Sequence, residues 1–410
     1  MMVERETPNA KSGNTRPAIG RVQAPPARGP LSPFRFPLSR PAFTLVELLI
    51  TIAILAILAA LILGVGAVAG EVARRHQTES TIAQIHTLLM DHYDSYRNRR
   101  VTIDNTLNLT GQQTAAFRLM ALREILKTEI PDRWSDIALE DIPTDGLDNR
   151  NTNINNAQPV YLADRTALAN LFWRRYQTIA GSLEGLDTPD PDVNNNGVNN
   201  STEALLTNQS AECLFMVVML ATGDGEAPSL FGERVIGDTD GDGAQEFLDG
   251  WGNPIEFIRW APGFDSSAQL SQPRITRVFQ EAENESTGAG PAAANEIIAA
   301  ERDPFDLFRI DSFVADRESN AIILDMSNQP ARSFRLLPLI YSLGGDEESG
   351  ISTGPANLHR VRNLTLSSLG GTTLNNVSDP FSNQDGGFLG TFSDRDFAAD
   401  NITNHLITPN

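Results

Sequence analysis

The chain has 410 residues, with 32 Lys+Arg against 52 Asp+Glu, a net charge of −20 and a pI near 4.6. That length allows one large domain or two modest ones. So acidic a body repels phosphate, which excludes a nucleic-acid partner, and a single cysteine, Cys213, excludes an intramolecular disulfide.

The charge is uneven along the chain. Residues 1–42 hold seven Lys/Arg and two Glu, or +5, which leaves 25 basic and 50 acidic residues, or −25, for the rest. This first segment is rich in Pro, Gly, Ser and Arg. Residues 43–69, "FTLVELLITIAILAILAALILGVGAVA", then form an apolar run of 27 with one formal charge, Glu47. About 20 apolar residues in a helix cross the hydrocarbon core, so this run is a predicted membrane span. The basic flank predicts a cytoplasmic N-terminus and an exported acidic body. A secretory signal has a shorter apolar core with its small cleavage residue after it. Here the small residue, Ala42, precedes the core.

The stretch Ala42–Ile50, "AFTLVELLI", resembles the cleavage and methylation motif of prepilins, the precursors of type IV pilins and type II secretion pseudopilins. The resemblance implies that prepilin peptidase cuts after Ala42 and methylates the new amine of Phe43. It implies that Glu47 is the acidic fifth residue of the mature chain, pairing with a neighbouring subunit's amine during assembly. A charge in lipid costs a few kcal/mol, and pairing removes much of that cost. Position 42 is Ala where the family usually has Gly, and the leader is long.

Beyond the span, Ile82, Ile85, Leu88, Leu89, His92, Tyr93 and Tyr96 recur at spacings of three and four, one apolar stripe on an otherwise polar helix. This predicts a stalk helix over 70–100 carrying a head over 101–410. "TGQQTAAFRLMALREILKTEI" and "DRTALANLFWRRYQTIAGSL" read as helices with capping starts at Thr110 and Asp164. "STEALLTNQSAECLFMVVMLAT" reads as a third, with Cys213 a buried bystander. "PIEFIRW", "NAIILDM" and "RLLPLIYSL" read as strands, and residues 280–303 as a surface excursion. The expected fold is α+β: a long transmembrane and stalk helix, then a pilin-like head with a small antiparallel sheet.

"DGWGNPI" (Asp249–Ile255), "YSLGGDEESG" (Tyr341–Gly350) and "DRDFAADNITNH" are similar to segments of the major, or G-type, pseudopilin. In that reading Trp251 anchors the sheet, Gly252 and Pro254 make a turn, and Asp249 holds the turn by side-chain hydrogen bonds. The resemblance also makes Asp346, in the loop after Tyr-Ser-x-Gly, a calcium candidate.

Two further stretches fit a twelve-residue calcium loop, in which oxygens at odd positions wrap a hard cation around a glycine turn. The first offers Asp192, Asn194, Asn196, Val198 and Glu203. The second offers Asp238, Asp240, Asp242, Ala244, Glu246 and Asp249. Calcium is the expected cofactor. No zinc-protease, nucleophile-elbow or phosphate-loop signature appears, so a non-enzyme is expected.

The sequence therefore predicts a filament subunit of a type II secretion pseudopilus or type IV pilus, single-pass in the inner membrane, with prepilin peptidase and other pilin-like subunits as partners. The competing reading is a calcium-binding surface protein on one membrane span that does not polymerise.

Overall fold

The computed structural model describes residues 43–101, 111–137, 166–184, 206–221, 227–271, 274, 302–308, 334–353, 361–366, 372–381 and 388–407. The chain divides into two units, 1–62 and 63–410.

Helix α1 runs Leu45–Ser95, followed by a 3-10 turn at Tyr96–Asn98. Among the described residues it is the one helix long and apolar enough to cross a membrane. Its first part exposes one apolar side chain after another, from Leu45 through Leu61, as a helix surrounded by lipid or by other helices does.

In the second unit the character of α1 changes. Ile82, Ile85, Leu89, Tyr93 and Tyr96 are buried, so the three-and-four spacing seats the head. Four further helices contribute buried side chains to this core: α2 (Gly111–Glu129), α3 (Trp134–Ile137), α4 (Ala167–Glu184) and α5 (Gln209–Ala221). A short α6 (Ala227–Leu230) follows. Cys213 is fully buried on α5, and burial pushes its thiol pKa up, which leaves it unreactive.

The strands are short. β1 (Ile236–Gly237) and β2 (Glu246–Phe247) form a hairpin. β3 (Glu256–Ile258), β4 (Leu339–Ser342) and β7 (Ile402–Thr403) make an antiparallel sheet in the order β3-β4-β7. β5 (Val361–Leu366) and β6 (Thr372–Ser378) form a second hairpin, which the sequence reading did not single out. Helix α7 (Asn404–Ile407) follows β7. The architecture is α+β: a long apolar N-terminal helix, then helices and small antiparallel sheets.

Two predicted strands are trimmed for identifiable reasons. After Ile258 the backbone N–H of Arg259 leaves the ladder and donates to Asp132 Oδ2 at 3.0 Å. Before Leu339, Pro338 has no N–H, and its carbonyl accepts from Asn404 Nδ2 at 2.9 Å. Thr110, Asp164 and the "NAIILDM" run lie outside the described residues.

A buried ion cluster ties α2 and α3 to β3. Arg259 Nη1 donates to the Ile130 carbonyl (2.7 Å), the Lys127 carbonyl (3.3 Å) and Asp136 Oδ2 (2.8 Å). Its Nη2 lies 3.4 Å from Asp132 Oδ1, and Lys127 Nζ lies 3.9 Å from Asp136. Two cations thus face two carboxylates, and Arg259 also caps carbonyls at the end of α2.

Candidate functional site

Three places carry the residues singled out in the sequence. The first is the start of α1. Thr44 Oγ1 accepts the Glu47 N–H at 3.2 Å, and Glu47 Oε2 accepts the Thr44 N–H at 2.9 Å and its hydroxyl at 2.9 Å. This reciprocal pair is a capping box, with Thr44 at the N-cap and Glu47 three residues on. The Thr-x-x-Glu spacing was visible in the sequence, and it gives Glu47 a role within a single chain. Phe43 is exposed immediately before it. Ala42 lies outside the described residues.

The second place is the turn between β2 and β3. Asp249 Oδ1 accepts the N–H groups of Trp251, Gly252 and Asn253 at 2.8 to 2.9 Å. Gly252 has φ +99, a conformation that favours glycine. Asp249 Oδ2 accepts the Ser342 hydroxyl at 2.7 Å, so the Trp-Gly and Tyr-Ser motifs, far apart in sequence, meet here. Pro254 bridges Leu248. The turn also leans on α1. Gly250 N–H donates to Thr78 Oγ1 at 2.8 Å, and Trp251 Nε1 donates to Glu71 Oε2 at 3.2 Å. Trp251 therefore binds the stalk helix as well as packing beside the core. Both oxygens of Asp249 are thus engaged in this turn.

The third place is the β1–β2 loop, residues 238–245, which holds the second calcium-type sequence. Gly241 (φ +79) and Gly243 (φ +94) let the chain reverse tightly. Backbone amides occupy part of each carboxylate. Asp238 accepts from Gly241 (2.7 Å) and Gly243 (3.1 Å), Asp240 Oδ1 from Asp242 (3.3 Å), and Asp242 Oδ1 from Ala244 (2.6 Å). Glu246 accepts from the backbone and the hydroxyl of Thr239. Donor atoms of Asp238, Asp240 and Asp242 lie within 4.8 Å of one another. So do those of Asp240, Glu246 and Glu212, a residue of α5 that sequence reasoning missed. Glu212 sits inside an apolar helix, and only the fold brings it to the loop.

The electrostatics of this cluster are unusual. Burial, then the charge of Asp242, pushes Glu212 up to about 10, although Trp134 Nε1–H donates to its Oε2 at 2.5 Å. Burial raises Glu246 to about 7 and Asp242 to about 6, with neighbouring aspartates adding to both. These shifts express burial first and the mutual repulsion of the carboxylates second.

The remaining candidates are dispersed. Asp346 is exposed, and its Oδ1 accepts the Glu348 N–H at 3.0 Å. Asp192, Asn194, Asn196, Val198 and Glu203 lie outside the described residues. His86 and His92 find separate partners, Asn404 at 2.9 Å and Tyr96 at 3.1 Å, and share no site.

Residues 39–63 match the prokaryotic N-terminal methylation motif. No curated protein and no solved structure matches the chain. Over these residues the chain is similar to the N-termini of type IV prepilin-like proteins, a motif that implies processing by prepilin peptidase. The apolar helix that overlaps it is in keeping with a single-pass membrane anchor.

Proposed function

We propose that the chain is a structural, non-catalytic subunit of a pilus-like filament, nearest to the major pseudopilin of type II secretion. Prepilin peptidase cuts between Ala42 and Phe43 and methylates Phe43. The basic leader faces the cytoplasm, the head is exported, and subunits leave the inner membrane to stack with copies of the same chain. The observation that carries this reading is the methylation motif at residues 39–63, placed where the apolar span begins. The contact of Asp249 with Ser342 supports the pseudopilin likeness, because it joins the two head motifs on which that likeness rests.

The capping box favours a second reading. It gives Glu47 a purpose in a protein that is merely anchored and never polymerises.

Intact mass and N-terminal analysis of the membrane-extracted protein tests the processing. A chain that begins at methylated Phe43 supports the proposal, and one that keeps residues 1–42 refutes it. Two substitutions separate the roles of Glu47. Glu47→Gln keeps a side chain able to close the capping box but removes the charge. Under the filament reading Glu47→Gln and Glu47→Ala both stay in the membrane and out of filaments. Under the anchor reading Glu47→Gln behaves as wild type.

A further inference from the structure

We propose that the head binds one calcium ion between α5 and the β1–β2 hairpin, with Glu212, Asp240, Asp242 and Glu246 as its carboxylate ligands. The site is independent of N-terminal processing and would stand equally in an anchored protein that never assembles.

The first argument is the state of the oxygens. Glu212 is 1% exposed and Asp242 3% exposed. Glu212 Oε1, Asp240 Oδ2 and Asp242 Oδ2 are buried without a hydrogen-bond partner, while the second oxygen of each is satisfied. A buried carboxylate oxygen with no partner is costly, and three of these four residues carry one.

The second argument is charge. Glu212, Asp238, Asp240, Asp242 and Glu246 make no ion pair with lysine or arginine among the described residues. Arg175 reaches the loop but gives its N–H to the Gly243 carbonyl at 3.3 Å. A buried group of like charges is stable when a cation coordinates it.

The third argument is chemistry and span. The donors are all oxygen, which selects a hard cation over zinc or copper. Donor atoms of Glu212, Asp240 and Glu246 lie within 4.8 Å of one another, and Asp240 belongs also to a second such group with Asp238 and Asp242; spans of this size can share an ion with bonds of about 2.4 Å. Several carboxylates on a pliable loop suit calcium, whereas magnesium retains waters and demands a stricter octahedron. The loop amides and the Trp134 indole hold the outer oxygens and so orient the inner ones. Asp238, with both oxygens on backbone N–H groups, shapes the rim.

The ligand set differs from the linear loop pattern at both ends. Asp249 holds the Trp251 turn, and its carboxylate joins neither acidic group. Glu212 enters from another element, so the ion fastens the hairpin to a core helix.

The test uses the full chain in detergent, stripped with chelator and titrated with calcium chloride by calorimetry, with magnesium chloride alongside. One calcium equivalent bound in preference to magnesium is expected. Glu212→Gln is expected to weaken calcium binding by about tenfold or more, and Asp346→Asn to leave it unchanged. In chelator, Glu212→Gln is expected to melt no lower than wild type, since glutamine keeps the size of the side chain and brings no charge into the cluster. If Glu212→Gln does not fold, Asp240→Asn takes its place with the same expected loss. Unchanged calcium affinity in these variants, or no calcium bound at millimolar concentration, overturns the site.

Discussion

Replacing Arg259 with Met is expected to be among the most damaging single changes in the head. The methionine fills similar apolar volume, so the loss is electrostatic. Two carboxylates, Asp132 and Asp136, would be left buried with one cation, Lys127, at 3.9 Å from Asp136. Removing one partner from a buried ion pair costs about 3–5 kcal/mol. The carbonyls of Lys127 and Ile130 also lose their donor, at about 1 kcal/mol each in the typical case. A loss of about 5–7 kcal/mol is therefore expected, roughly four to five orders of magnitude in the folded-to-unfolded ratio. The assay is urea unfolding of the detergent-solubilised chain followed by tryptophan fluorescence. The Arg259 guanidinium lies 4.4 Å from the Trp260 ring centroid, so the probe reports on this neighbourhood. The double variant Arg259→Met, Asp132→Asn restores one cation to one carboxylate. It is expected to be more stable than the sum of its single effects by about 1–3 kcal/mol. A single-variant loss under about 1 kcal/mol, or strict additivity in the double, would refute the reasoning.

Three other outcomes follow from the geometry. A Cβ at Gly250 would strike the backbone of Arg74 on α1, with the Arg74 carbonyl carbon at 2.7 Å, so Gly250→Ala should cost about 1–3 kcal/mol and speed hydrogen exchange along residues 71–78. Gly232→Ala, where nothing lies within 4 Å, should leave that exchange as it was. Saturating calcium at about 100 times its Kd should add about 2.7 kcal/mol to the stability of the wild-type head, seen as a higher melting temperature than in chelator; equal melting in both conditions would count against the ion. His405 is buried neutral. Its Nε2–H donates to the Pro338 carbonyl at 3.2 Å and its Nδ1 accepts from Ser266 at 3.0 Å. Burial lowers its pKa to about 4, and His86 and Arg335, facing it from α1 and from just before β4, add to that. The unfolded chain then binds the proton first, so this group's contribution is intact above about pH 6.5 and is lost as pH falls toward 4, by about 3 kcal/mol in all. Wild type measured against His405→Asn between those pH values should show that slope, and parallel curves would exclude it.

The sequence made some of this legible and hid the rest for physical reasons. The membrane span, the stalk stripe and the Asp249 turn are local: neighbours at spacings of one to four fix them, and such spacings can be read directly. The acidic loop was legible as a loop, but its twelve-residue pattern assigned Asp249 to a cation when three backbone amides and Ser342 already claim it. Glu212 was illegible because its surroundings, "AECLFMVVML", advertise only an apolar helix. Arg259, Asp132, Asp136 and Lys127 each look like ordinary surface charges in sequence. Their pairing arises only when α2, α3 and β3 converge. The helix-capping role of Glu47 lay open in the Thr-x-x-Glu spacing, overshadowed by the prepilin likeness of the same residues.

Asn404 has a consequence for when the head becomes complete. Its Oδ1 accepts the Ile340 N–H at 2.9 Å, while its Nδ2 donates to Pro338 and to His86 of α1, each at 2.9 Å. One late side chain thus buttons the sheet to the first helix. A polypeptide interrupted before residue 402 has β4 without its outer neighbour and His86 without its donor. Such a fragment shows a bare strand edge, which proteases and mispairing chains recognise. The fold itself therefore works as a checkpoint, in which α1 and the β7–α7 segment must both be present before either is secured.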